Sequence, residues 1–140
     1  MKVLIHTMEA AESLVKMKKA IETALPNIKG ETFSTLESLA QRLKEPYDGE
    51  EKVALLAATD QKNLEDFLSL QRLFLNVPLI LLVPNRSTET MALAHRLRPR
   101  FLNDVQGDFT AVIEVLRKMV AVQGERGAAD SPPKSRLGLL

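Results

Sequence analysis

The amino-acid sequence predicts an α/β domain with a five-stranded parallel sheet wound on both sides by helices. Three observations carry that expectation. The apolar period switches repeatedly between strand and helix over residues 1–122. Two runs, "KVALLAA" (52–58) and "PLILLV" (78–83), are continuously apolar, as expected of parallel strands covered on both faces. Each strand candidate is followed by a helical stretch long enough for a right-handed crossover to the next.

In chain order, "KVLI" (2–5) reads as a short first strand. From Met8 to Leu25 the pattern turns helical, with Leu14, Met17, Ile21, Ala24 and Leu25 on one stripe and Pro26 as the stop. A weaker strand is expected over Ile28 to Phe33. "STLE" (34–37) fits a capping box in which Ser34 and Glu37 open a helix with Leu36, Leu39, Ala40 and Leu43 inward, closed by "EPYDGE". After the third strand, Thr59 or Asp60 serves as N-cap of one unusually apolar helix containing Leu64, Phe67, Leu68, Leu70, Leu73 and Phe74. Ser87 opens the next helix, with Met91, Ala94 and Leu97, which must end before Pro99. "RFLN" (100–103) is the fifth strand. Asp108 caps a last helix with Phe109, Val112, Ile113, Leu116 and Val120 at helical spacing. The expected architecture is flavodoxin-like: strand order 2-1-3-4-5, five helices and three α/β/α layers.

Composition bounds the rest. With 140 residues, 45% of them hydrophobic, the chain suits one domain, read as 1–122, followed by a flexible tail or linker at 123–140. Leu137, Leu139 and Leu140 at its end are either a docking element or a frayed terminus. The 19 basic and 18 acidic side chains leave a net charge of +1, so no global field draws nucleic acid or an anionic membrane. The chain has no cysteine, which excludes thiolate catalysis and zinc-thiolate sites and fits a cytoplasmic location. The N-terminus lacks a signal-peptide core, and the longest apolar region is broken by Gln71, Arg72, Asn76 and Pro78, so no membrane span is expected.

In an open sheet of this order, ligands bind beyond the carboxyl ends of the strands. The stretches there are His6 and Thr7, Ser34 and Thr35, Ala57 to Asp60, Val83 to Asn85, and Asn103 to Gln106. The order and lengths of the elements, with "NLEDFLSLQR" after the third strand, "VPLILLVP" for the fourth and "RFLND" for the fifth, resemble the receiver domains of bacterial response regulators over residues 1–122. The resemblance implies an acidic pair holding magnesium after the first strand, a phosphoacceptor aspartate ending the third, a hydroxyl ending the fourth and a lysine after the fifth. Carried onto this chain, those positions fall on His6 and Thr7, on Ala57 or Ala58, on Val83 and near Asp104. All the chemical groups have changed. Magnesium needs oxygen ligands, which imidazole does not supply, and alanine accepts no phosphoryl group. A carboxylate in place of the lysine, about 4 Å from a phosphoryl oxygen, would repel it by roughly 4 kcal/mol. Phe101 keeps the place of the aromatic residue that reports phosphorylation in the family and is expected to be a fixed anchor.

The sequence thus reads as a degenerate member of that family, a pseudo-receiver: a signalling and protein-interaction module rather than an enzyme, with no cofactor and no metal. "HRLRPRF" (95–101) supplies the candidate contact residues Arg96, Arg98, Arg100 and Phe101, with Arg86 upstream. A protein partner is expected, including a second copy through the fourth helix, fifth strand and fifth helix. Nucleic acid fits poorly, because the charge is local and aromatic residues are few. Two alternatives stay open: a small-molecule sensor or enzyme using an emptied pocket around His6, Thr7, Ala57 and Asn85, and a receiver phosphorylated at a shifted acceptor, Asp60, whose other reading is a helix cap. His6 and His95 have no metal-binding spacing, and no phosphate-binding glycine loop exists.

Overall fold

Apolar runs build the centre of the molecule. The computed structural model describes residues 1–7, 11–104 and 109–130, with the side chains of 11, 13 and 122–130 excepted. Five strands, β1 (Lys2–Thr7), β2 (Lys29–Phe33), β3 (Lys52–Ala57), β4 (Leu79–Val83) and β5 (Phe101–Asp104), form one sheet in the order β2-β1-β3-β4-β5. All four pairings are parallel. The helices are α1 (Ala11–Ala24), α2 (Leu36–Lys44), α3 (Gln61–Leu68), α4 (Thr88–Arg96) and α5 (Phe109–Asp130). This is the flavodoxin-like arrangement that the alternating pattern predicts.

The chain divides into two compact units, Met1–Gly107 and Asp108–Leu140. In the first, Leu4, Ala54, Leu56, Leu81 and Val83 face one way and form a buried cluster with Leu39 of α2, Leu64 and Phe67 of α3, and Ala94 of α4. On the other face α1 crosses β1 and β2. A Cβ built on Gly30 would lie 3.0 Å from Lys18 Cγ and 3.5 Å from Ile5 Cδ1, so the absence of a side chain there lets the helix approach. The Gly30 N–H, in an edge strand, donates to Glu22 of α1 (2.9 Å), which satisfies an amide that would otherwise face open water or another strand. The second unit contains α5, along which Phe109, Val112, Ile113, Leu116 and Val120 recur at three- and four-residue spacing.

A charged girdle ties the amino ends of the strands. Arg42 grips Glu31 with two nitrogens (2.8 and 3.3 Å), Lys2 reaches the same carboxylate (3.3 Å), and Lys52 meets Asp48 (2.8 Å). The Lys52 ammonium pulls the Asp48 carboxyl down to about 2.

Several elements differ from the sequence expectation. The cap of α2 is Thr35, whose hydroxyl accepts from the Ser38 N–H (3.1 Å). Strand β2 runs through Phe33, paired with His6, so Ser34 is spent on the bend and the cap moves one residue on. The long apolar helix is interrupted: α3 ends at Leu68, and a 3-10 turn, Gln71–Phe74, follows. Ser69 turns its hydroxyl back onto the Asp66 carbonyl (2.5 Å), and the following amides bond three residues back, Leu70 to Phe67 (3.0 Å) and Leu73 to Leu70 (2.8 Å). Helix α5 continues through Asp130, past the Val122 at which the pattern weakens. The helix start expected at Met8, the cap at Asp108 and the leucines at 137, 139 and 140 lie outside the described residues.

Candidate functional site

At the carboxyl ends of the strands, the positions that resemblance singles out do come together. Thr7 pairs with Ala57 across β1 and β3, Ala57 with Leu82 across β3 and β4, and Val83 with Asp104 across β4 and β5. The Ala58 N–H extends the ladder by donating to the Leu82 carbonyl (2.8 Å). Thr7, Ala57, Ala58 and Val83 are all buried, with exposures of 1% or less, so their side chains are packing surface rather than pocket lining.

His6 packs against α3. It belongs to the row of Leu4, on the side of the sheet covered by α3, and is fully buried. Its Nδ1 lies 2.6 Å from the Phe33 carbonyl oxygen, which fixes the proton on that nitrogen because a carbonyl only accepts. The ring meets Phe67 edge-on, with centroids 6.0 Å apart and planes at 77°. Burial pushes the imidazole below its ordinary value and the bond to Phe33 opposes this.

Asp60 is the N-cap of α3. Its carboxylate accepts from the Asn63 N–H (2.9 Å), and Asn63, buried and three residues on, accepts from both the Thr59 N–H (2.8 Å) and the Thr59 hydroxyl (2.6 Å). Helix α4 starts alike, with the Ser87 hydroxyl accepting from the Thr90 N–H (3.2 Å) and Asn85 accepting from the Ser87 N–H (3.0 Å). Gln61 reaches Thr90 (3.5 Å) and links the two helix starts. Asn63 and Thr90 escape sequence reading because each looks like an ordinary surface residue of a helix. The spacing Asp60-x-x-Asn63 was the available signal.

Where a lysine is implied by resemblance stands Asp104, half exposed, and Arg86 from the loop before α4 covers it at 3.0 Å. The charge order is thereby inverted: the acid is on the strand and the base on the loop. Among the described residues no group of three histidine, aspartate or glutamate side chains converges as a metal would require.

The candidate contact residues lie elsewhere. Arg100 precedes β5, and its N–H donates to Leu79, the first residue of β4 (2.7 Å). Arg96, Arg98 and Arg100 are exposed at the amino ends of these strands, whereas Arg86 sits at the carboxyl ends. Phe101 is half-buried and pairs with Ile80, in the row facing away from α2, α3 and α4; its neighbour Leu102 packs against the cluster beneath those helices.

The geometry defines a flavodoxin-like domain whose strands end on Thr7, Phe33, Ala57, Val83 and Asp104, beside the engaged caps of α3 and α4. Solved structures share this fold. A protein of Burkholderia thailandensis provisionally described as the pilus assembly protein CpaE superposes with a TM-score of 0.62 at 17% identity, covering 86% of this chain and 98% of that one. A Burkholderia pseudomallei protein provisionally described as pilus assembly-related gives 0.64 at 17% identity, covering 86% and 90%. No protein-family model and no curated relative matches the chain. No helix among the described residues is long and apolar enough to cross a membrane.

Proposed function

We propose that this chain is a receiver-type domain without phosphotransfer chemistry, a pseudo-receiver that acts by protein recognition within a multiprotein assembly. The observation that carries this reading is the pairing of buried Thr7 with buried Ala57, the place where a magnesium-binding acid and an acceptor aspartate would have to meet. Val83 in the hydroxyl position and the Arg86–Asp104 pair in the lysine position support it. The likeness to proteins provisionally described as pilus assembly or pilus assembly-related suggests the setting: a domain that holds a place in pilus assembly rather than one that turns over a substrate.

Burial of His6, Thr7 and Ala57 speaks against a ligand pocket lined by them. Asp60 has a complete local role as the cap of α3, which leaves the shifted-acceptor reading without structural need. Incubation with acetyl phosphate and magnesium, followed by intact-mass measurement, tests the proposal. The expected mass is that of the unmodified chain; an added phosphoryl group that disappears in Asp60→Asn would overturn it.

A further inference from the structure

At the amino ends of β4 and β5, two connections meet and bring arginines together from separate parts of the sequence. The first is the 3-10 turn Gln71–Phe74 and the residue after it. In a turn of three residues per revolution, positions three apart eclipse, so Leu75, whose N–H bonds to the Arg72 carbonyl (3.4 Å), stands over Arg72. Leu75 is 76% exposed, the most exposed large apolar side chain described. The second connection joins α4 to β5. The Gln71 side-chain amide donates to the Arg96 carbonyl (2.9 Å) and fastens the turn to the end of α4. Beyond it Arg98 takes φ 53°, a left-handed position that glycine usually fills after a helix, and Arg100 bonds back to the start of β4.

Arg72, Arg96, Arg98 and Arg100 are all exposed, and among the described residues none has a carboxylate partner, while Arg42, Arg86 and Arg117 each do. Four exposed arginines without carboxylate partners and an exposed leucine, on two connections fastened to each other by Gln71, have the composition of a recognition surface: planar forks for carboxylates and a greasy centre to exclude water. We infer that Arg72, Arg96, Arg98 and Arg100 form with Leu75 a docking surface for an acidic protein segment carrying a large apolar residue among its carboxylates. The inference rests on the reading of the chain as a protein-recognition module and names the kind of partner. An anionic membrane is the poorer match, since one leucine offers little to insert.

The test uses a fluorescein-labelled peptide alternating glutamate with leucine, the same peptide with glutamine for glutamate, and phosphatidylglycerol vesicles, each titrated with the full chain. Saturable binding of the acidic peptide alone is expected. Arg72→Glu with Arg96→Glu weakens it at least tenfold and Leu75→Ser several-fold, while Lys62→Glu, at the opposite end of α3, leaves it within twofold. Circular dichroism verifies that the variants fold. Absence of saturable peptide binding, equal weakening by Lys62→Glu, indifference to Leu75→Ser, or binding to vesicles only would each overturn the inference. The mass test for phosphorylation reads a different property: a chain that takes up phosphoryl yet binds the peptide loses the pseudo-receiver reading and keeps this surface. A chain that does neither keeps the first and loses the second.

Discussion

His6 illustrates how far a single residue can depart from its apparent role. At a strand end beside the crevice it has the place of a general base, although a lone histidine there is more often hydrogen-bonded structure; the pleat of β1 sends it under α3, against Phe67, with its Nδ1 proton on the Phe33 carbonyl. Both faces of β1 are covered, so its sequence is apolar on both sides of the pleat and gives no sign of which face residue 6 joins. The burial has a consequence for pH. Because the folded chain holds the imidazole below its ordinary 6.5, the unfolded chain takes up the proton first. Stability is therefore complete above pH 6.5 and falls as the pH drops from there through the lowered folded value. Urea midpoints should be lower at pH 5.5 than at pH 7.5, and the His6 ring proton signal should titrate below 6.5 by NMR. A His6 midpoint at or above 6.5 would refute the burial. Glu31, held down chiefly by its bond to Arg42, acts in a separate window, its contribution fading only as the pH falls below about 4.5.

Among the elements, the strands were the most legible, because continuous apolar runs such as 53–57 and 79–83 have one stable destination in a sheet wound on both sides. The starts of α2, α3 and α4 were legible to within a residue. Asp60 and Ser87 cap as their residue types suggest, while the cap expected at Ser34 belongs to Thr35, since side-chain chemistry alone cannot distinguish two adjacent hydroxyls. The break after Leu68 was hidden. The apolar residues Leu70, Leu73 and Phe74 continue a helical spacing, and only the Ser69 hydroxyl bond to Asp66 signals that the axis changes. Removing the α3 cap should be felt by the whole unit, because Asp60, Asn63 and Thr59 are bonded to one another. Asp60→Ala is expected to cost about 1 kcal/mol, measured by denaturant unfolding. A neutral result would mean that the carboxylate is not the working cap and would reopen its availability as an acceptor.

For the molecule as a whole, strand order and crossover pattern followed from the alternation of periods, since short right-handed connections leave few topologies. The crevice was legible as a list of positions, because each lies at the end of a recognisable strand. The arginines of "HRLRPRF" were legible as a cluster, but not their company: Arg72 and Leu75 stand more than twenty residues from Arg96 and are tied to it through Gln71. On the proposed reading, the carboxyl ends of the strands are chemically silent and recognition falls to the amino ends. The paired Thr7–Ala57 and Val83–Asp104 positions then capture no phosphoryl group. The most direct measurement is an NMR titration with magnesium and beryllofluoride, a phosphoryl mimic that needs both a carboxylate acceptor and the cation. The amide signals of Thr7, Ala57, Asp60, Val83 and Asp104 are expected to stay in place; saturable shifts centred on those residues would rule out the pseudo-receiver reading.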